Sequence, residues 1–132
     1  MTDGEIRDRI IDKVKWCKLV IAKRHPTISI PPIKVSVKYF SKEYTGYAAL
    51  AYYDTNELHF SLIYARNYTD RFIAQTVPHE VCHLLAYWIY KDAGRGHGMY
   101  WRKLMFETFG LFPHVTHIYG AEHIFEFKPD DK

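Results

Sequence analysis

The chain has 132 residues, enough for one small domain, because domains commonly contain about 100 to 200 residues. Its composition, with 48% hydrophobic and 25% charged residues, can fill a hydrophobic core and excludes a disordered chain. No run of about 18 consecutive apolar residues occurs, so a membrane-spanning helix is excluded, and the charged N-terminus favours a cytoplasmic location. We therefore expect one domain over residues 1–132.

The net charge of +3 is distributed unevenly along the chain. Residues 1–50 contain ten Lys or Arg against five Asp or Glu, whereas residues 51–132 contain eight against ten. A basic helix with a solvated face is the simpler interpretation. The alternative is nucleic-acid binding, since Lys and Arg that neutralise phosphates supply sequence-independent affinity.

The two cysteines, Cys17 and Cys82, are far apart, and no Cys-x-x-Cys occurs. This spacing argues against a disulfide framework and against a zinc ribbon within these residues. We expect two free thiols, with Cys82 as a small packing residue.

The first predicted element is a helix over residues 3–24. Thr2 and Glu5 have the spacing of a capping box, which satisfies free N–H groups at the start of a helix. One apolar stripe follows at steps of three and four: Ile6, Ile10, Val14, Cys17 and Ile21. The prolines at 26, 31 and 32 prevent the helix from continuing.

Strands are predicted next, at Ile33–Tyr39, Gly46–Tyr53 and Glu57–Leu62. In the first of them apolar residues alternate with Lys and Ser, as in a half-buried strand. Residues 54–56 (DTN) have turn chemistry and join the second and third strands.

A second long helix is predicted from Thr69 or Asp70 to Tyr90, and Pro78 must kink or split it. Residues 91–98 contain three glycines and indicate a loop, and Met99–Phe109 restores helical spacing before Gly110. The remainder is expected to be irregular with a short extended segment at residues 124–127. The expected fold is α+β, with an N-terminal helix and a small three-stranded sheet.

The strongest chemical signal is the sequence HEVCH at residues 79–83. On a helix, residues four apart lie on one face, so the imidazoles of His79 and His83 can reach the same metal ion. Glu80 is rotated aside, at a distance suited to a general base. The apolar residues Val81, Leu84, Leu85 and Trp88 lie on the roughly opposite side. We therefore expect one face of this helix to join the core and the other to face a cleft.

A catalytic zinc site usually has three protein ligands and leaves a fourth position to water. The metzincin arrangement would need a histidine at position 89, which is isoleucine. His97 lies in Gly96-His97-Gly98, where flanking glycines allow the backbone to approach an ion closely. We favour His97 over Glu107 and over the more distant histidines, which are His114, His117 and His123.

Residues 77–85 (VPHEVCHLL), Gly96-His97-Gly98 and Trp101 together resemble the SprT-like zinc metallopeptidases, a family that includes bacterial SprT and the protease domain of Spartan. The resemblance extends loosely over about residues 40–120. It implies a zincin-like domain in which a glycine loop carries the third ligand. It also implies that His79, His83 and His97 bind Zn²⁺, that Glu80 is the catalytic acid/base, and that Trp101 packs behind the third ligand.

Many members of this family carry a cysteine-based zinc ribbon or another nucleic-acid-binding module. Here no cysteine follows Cys82. If the protein binds DNA, we expect the contact through the basic first helix or through a partner.

The expected activity is zinc-dependent endopeptidase cleavage, directed at protein substrates that are associated with DNA. Zinc held by three imidazoles lowers the pKa of its water to roughly 7, and Glu80 moves the proton to the leaving amine. Tyr100, His117 and Tyr119 are candidates for a donor to the oxyanion. Two alternatives stay open: a non-proteolytic zinc-containing nucleic-acid-binding or adaptor protein, and a hydrolase of a non-peptide substrate. The oligomeric state is not predicted.

Overall fold

A computed structural model describes residues 1–115 and, beyond them, only the backbone of two short strands. The α-helices are α1 (Asp3–Arg24), α2 (Leu62–Asn67), α3 (Thr69–Arg71), α4 (Val77–Tyr90) and α5 (Met99–Phe109). The strands are β1 (Lys34–Lys38), β2 (Ala49–Tyr52), β3 (Glu57–Ser61), β4 (His117–Tyr119) and β5 (Glu122–Ile124). The α+β prediction is confirmed. Among the described residues, no helix combines the length and apolar character that crossing a membrane would require.

Helix α1 has the predicted bounds and is anchored by its apolar stripe. The Thr2 side chain accepts a hydrogen bond from the Glu5 amide, and the Glu5 carboxylate accepts one from the Thr2 amide, which completes the capping box. These contacts hold the pKa of Glu5 below its usual value, chiefly through the Thr2 backbone N–H. The predicted stripe is fully covered, and α1 contacts α2, α4 and α5. Burial of this stripe places α1 across the helical side of the core.

The three-stranded sheet has the order β1-β3-β2, with β1 parallel and β2 antiparallel to β3. Each strand is shorter than predicted. Leu62 starts α2 instead of ending β3, because the Ser61 side chain accepts a hydrogen bond from the Tyr64 amide and so caps a helix there. The inward residues of the sheet form matched rows across the strands: Val35, Leu58 and Ala51, then Val37, Phe60 and Ala49.

The helical run before α4 changes its hydrogen bonding just before the proline. Phe72–Thr76 is a π-helical turn, in which the Val77 amide donates to the Phe72 carbonyl five residues earlier. The wider turn accommodates Pro78, which has no N–H and would crowd the preceding turn of an α-helix. The predicted interruption at Pro78 is therefore confirmed.

Helix α5 has its predicted bounds, and Gly110 ends it in the left-handed conformation with φ 66°. Beyond residue 115 the backbone of β4 pairs antiparallel with that of β5. The part of the predicted extended segment after Ile124 lies outside the described residues. Both cysteines are free and buried, as expected, and burial raises the pKa of the Cys17 thiol to about 12.

Candidate metal centre

Helix α4 supplies His79 and His83, and this part of the helix is buried on every side. All residues from Val77 to Ala86 are buried, and Glu80 and His83 have no exposed surface. The expectation that one face of α4 would look into a cleft was wrong. Other parts of the chain cover the histidine side of α4 as well, so His79 and His83 are buried, whereas His97 is half-buried.

The segment after α4 folds back so that His97 lies close to His79 and His83. A left-handed residue, Lys91 (φ 53°), ends α4, and one 3-10 turn occupies Lys91–Gly94. Gly94 packs so closely on α4 that a Cβ there would lie 2.1 Å from the Ala86 carbonyl oxygen. Gly96 has φ 75°, a conformation that favours glycine. These two glycines allow the turn to lie against α4, and His97 follows directly.

The three imidazoles meet through their Nε2 atoms. The Nε2 of His97 lies 3.1 Å from that of His83 and 3.3 Å from that of His79. Two nitrogens bound to one tetrahedral zinc at about 2.05 Å would be separated by about 3.3 Å. The three histidines can therefore hold a metal ion without a large rearrangement.

Trp101 is the surface on which the three histidines pack. Its fully buried ring lies 4.6 Å from His79, 5.0 Å from His83 and 4.7 Å from His97, measured between ring centroids. The His83 ring is nearly parallel to the indole, at 16°. The indole Nε1 donates to the His79 carbonyl oxygen at 3.3 Å. Trp101 thus packs behind all three rings, and not only behind His97.

Hydrogen bonds from outside the cluster hold two of its members in place. The Tyr53 hydroxyl lies 3.4 Å from Nδ1 of His83 and accepts from the Gly96 amide at 3.0 Å. Arg102 Nε donates to the His97 carbonyl oxygen at 2.9 Å. The sequence did not identify these partners. Inward alternation along β2 places Tyr53 in the core, but its contact with α4 depends on tertiary structure.

Glu80 lies beside the cluster with its carboxylate fully buried. Its Oε2 atom lies 3.9 Å from Nε2 of His79, the preceding residue on α4. The Glu80 carboxylate therefore lies beside the candidate site without being one of its three converging groups.

The structure does not bring the described alternative ligands to this cluster. Glu107 is exposed on α5, where its backbone carbonyl accepts from Arg24 at the end of α1. His114 is exposed and packs on Phe112. Tyr100, which was a candidate oxyanion donor and not a ligand, stacks on Tyr90 with 3.9 Å between ring centroids. The side chains of His117, Tyr119 and His123 lie outside the described residues.

Cys82 lies between the two histidines in sequence but serves packing. Its thiol is buried and lies 3.7 Å from the Trp101 carbonyl oxygen. Burial raises the pKa of the Cys82 thiol well above its usual value, which disfavours the reactive thiolate.

Known proteins with similar sequences belong to one family. A model of the SprT-like family matches residues 19–117, which include the three histidines and Glu80. The protein SprT of Shewanella oneidensis is 31% identical over 77 residues, covering 58% of this chain and 49% of that protein. The protein SprT of Pasteurella multocida is 30% identical over 98 residues, covering 74% of this chain and 55% of that protein.

The protein SprT of Pseudomonas aeruginosa is 36% identical over 75 residues, covering 57% of this chain and 46% of that protein. The chain therefore spans about half the length of the curated relatives it matches. No solved structure gives a significant match.

Proposed function

Because the chain belongs to the SprT-like family, we propose that it is a zinc-dependent endopeptidase with a zincin-like site. In this proposal His79, His83 and His97 bind the metal ion and Glu80 is the general base. The substrate class is protein, and the reaction is hydrolysis of a peptide bond.

The convergence of the three Nε2 atoms carries the proposal. Three imidazoles form a donor set suited to zinc, and the 3.1 Å and 3.3 Å separations match the edge of a zinc tetrahedron. Within the part of the chain that the structure describes, three side chains converge, which would leave the fourth position for water or substrate, as in catalytic zinc sites. A structural zinc site would normally have four protein ligands, so the donor set among the described residues favours catalysis.

The chemistry divides between the metal ion and Glu80. When bound by three imidazoles, zinc supplies a Lewis acid and lowers the pKa of a water in its open position to about 7. The Glu80 carboxylate takes the proton from the attacking water. It then delivers that proton to the amine nitrogen as the peptide bond breaks. Trp101 and Arg102 fix the histidines, so the ligands need little reorganisation.

The position of Glu80 also separates this proposal from a purely structural metal site. Burial of a carboxylate is costly, and folding would favour an apolar residue there if the metal only stabilised the fold. The fully buried Glu80 carboxylate 3.9 Å from a ligand nitrogen is instead expected of a general base.

The test is Glu80→Gln, compared with Glu107→Gln as a control on the exposed face of α5. Glu80→Gln should retain one zinc per chain, because the side chain is not among the proposed ligands, and should lose cleavage by a factor of about 10² or more. Glu107→Gln should retain both properties. Equal cleavage by wild type and Glu80→Gln, at equal zinc content, would exclude Glu80 as the base.

A second part of the proposal is that the substrates are proteins associated with DNA, reached through the basic half of α1. No acidic residue lies between Lys13 and Arg24, and Lys15, Lys23 and Arg24 are exposed in the structure. Arg24 also donates to the Glu107 carbonyl, so the two lysines are the better probes. Exposed cations on one helix are the electrostatic basis of phosphate binding.

Binding to a DNA duplex over a range of salt concentrations tests this interaction. The double variant Lys15→Gln/Lys23→Gln should weaken binding and flatten the slope of log K against log salt by about 0.9 for each phosphate that is no longer neutralised. The control, Lys91→Gln/Lys103→Gln, removes the same charge from exposed positions outside α1. Equal weakening in the two double variants would reject a specific role for α1.

A further inference from the structure

Tyr53 occupies a position between the two parts of the chain that supply the histidines. It follows β2 directly and is 4% exposed, so the sheet fixes its backbone and the core fixes its ring. Its hydroxyl lies 3.4 Å from Nδ1 of His83 on α4 and 3.0 Å from the amide of Gly96. One oxygen atom therefore contacts a histidine of α4 and the residue before His97.

The donors and acceptors at this oxygen define its role. The Gly96 amide can only donate. If His83 binds a metal ion through Nε2, its Nδ1 carries the proton and donates as well. A tyrosine hydroxyl oxygen has two lone pairs, so it can accept both bonds at once. Phenylalanine would leave the buried His83 ring and the half-buried Gly96 amide without this acceptor.

Arg95 holds the loop against the same tyrosine. Its guanidinium carbon lies 5.0 Å from the ring centroids of both Tyr53 and Tyr87, which pack on each other at 5.1 Å. Arg95 also pairs with Asp92 at 3.1 Å and with Asp54 at 3.7 Å. The loop therefore contacts Tyr53 through both its backbone and a neighbouring side chain.

We propose that Tyr53 is a positioning residue of the metal centre, whose hydroxyl oxygen fixes the His83 ring and the His97 loop relative to each other. The inference rests on the proposed zinc site. Outer partners of metal-bound histidines typically change metal affinity by 10- to 100-fold when they are removed. Tyr53→Phe keeps the ring and removes only the oxygen, so the affinity change reports the hydrogen bonds and not the packing.

The experiment measures zinc affinity by competition with a chelator, at a temperature where every variant is folded. Tyr53→Phe should bind zinc 10- to 100-fold more weakly than wild type. The control, Tyr87→Phe, changes a tyrosine in the same aromatic group and should bind like wild type. Hydrogen exchange of the Gly96 amide in the metal-free protein should be slow in wild type and at least tenfold faster in Tyr53→Phe.

The outcomes separate this inference from the proposed function. If wild type binds no zinc, the proposed function fails, and the positioning role fails with it. If wild type binds zinc and Tyr53→Phe binds equally well, only the positioning role is rejected. If Tyr53→Phe does not fold, hydrogen exchange of the Gly96 amide in the wild-type protein is the test. If that amide exchanges as fast as in an unstructured peptide, the positioning role of Tyr53 is rejected.

Discussion

Replacing Gly94 by alanine would test whether the close packing of the loop on α4 sets the position of His97. The new Cβ would lie 2.1 Å from the Ala86 carbonyl oxygen and 2.5 Å from its carbon. Ordinary van der Waals contact begins at 3.4 Å, so the turn and the helix must separate by about 1.3 Å. Both contacts are backbone atoms, and rotation of a side chain cannot relieve them.

The expected cost follows from this displacement. Overpacking in a core typically costs 1–3 kcal/mol, which would lower the melting temperature of the metal-free protein by roughly 4–12 °C. The loop displacement also separates the Nε2 of His97 from the other two nitrogens, and metal sites tolerate errors of only about 0.2 Å. We expect zinc affinity to fall by at least about tenfold, equivalent to 1.4 kcal/mol.

Gly98→Ala is the matched control in the same loop. A Cβ there meets nothing within 4 Å, and the φ of −74° suits any residue. Its free energy of unfolding should fall by no more than about 1 kcal/mol, because alanine is a weaker N-cap than glycine, and its zinc affinity should be unchanged. Calorimetry of the metal-free proteins and chelator competition measure the two quantities. The reasoning would be refuted if Gly94→Ala and Gly98→Ala gave the same melting temperature and the same affinity.

Two further predictions concern the ligand set and the pH dependence of stability. His97→Ala should lose zinc affinity by chelator competition and Glu107→Ala should not; the reverse result would identify Glu107 as the third ligand. Burial lowers the pKa of His25, so the unfolded chain binds more protons near pH 6 and stability falls as the pH drops below about 6.5. In His25→Gln the melting temperature should fall less between neutral and mildly acidic pH; parallel losses in both proteins would contradict this.

Local sequence determines the helix ends that could be predicted accurately. The Thr2 capping box defines the start of α1, and Gly110 defines the end of α5, because each acts through backbone atoms within one turn. Helix α2 was not predicted. Its start depends on capping by Ser61, and the sequence pattern of residues 57–62 had placed Ser61 within the third strand. Short-range patterns can thus locate a helix end, but they cannot decide between two competing local structures.

The three histidines could be selected from sequence, yet their surroundings could not. The spacing of His79 and His83 and the glycines around His97 indicated a shared ion, and the structure brings the three together. From the helical positions of its apolar residues, α4 was predicted to have one face in the core and one in a cleft. This prediction was wrong, because residues on both faces are buried. Helical phase reports which residues are apolar, whereas burial of His79 and His83 depends on Trp101 and Tyr53 from other segments.

Side chains of the hydrophobic core therefore pack directly against the candidate metal centre. Trp101 is among the largest fully buried side chains, and its indole contacts every imidazole of the cluster. The tilt of the His83 ring is set by stacking on that indole, and the peptide of His79 is fixed by the indole N–H. Packing in the core thus constrains the orientation of the three imidazole rings, because side chains in protein interiors are closely packed.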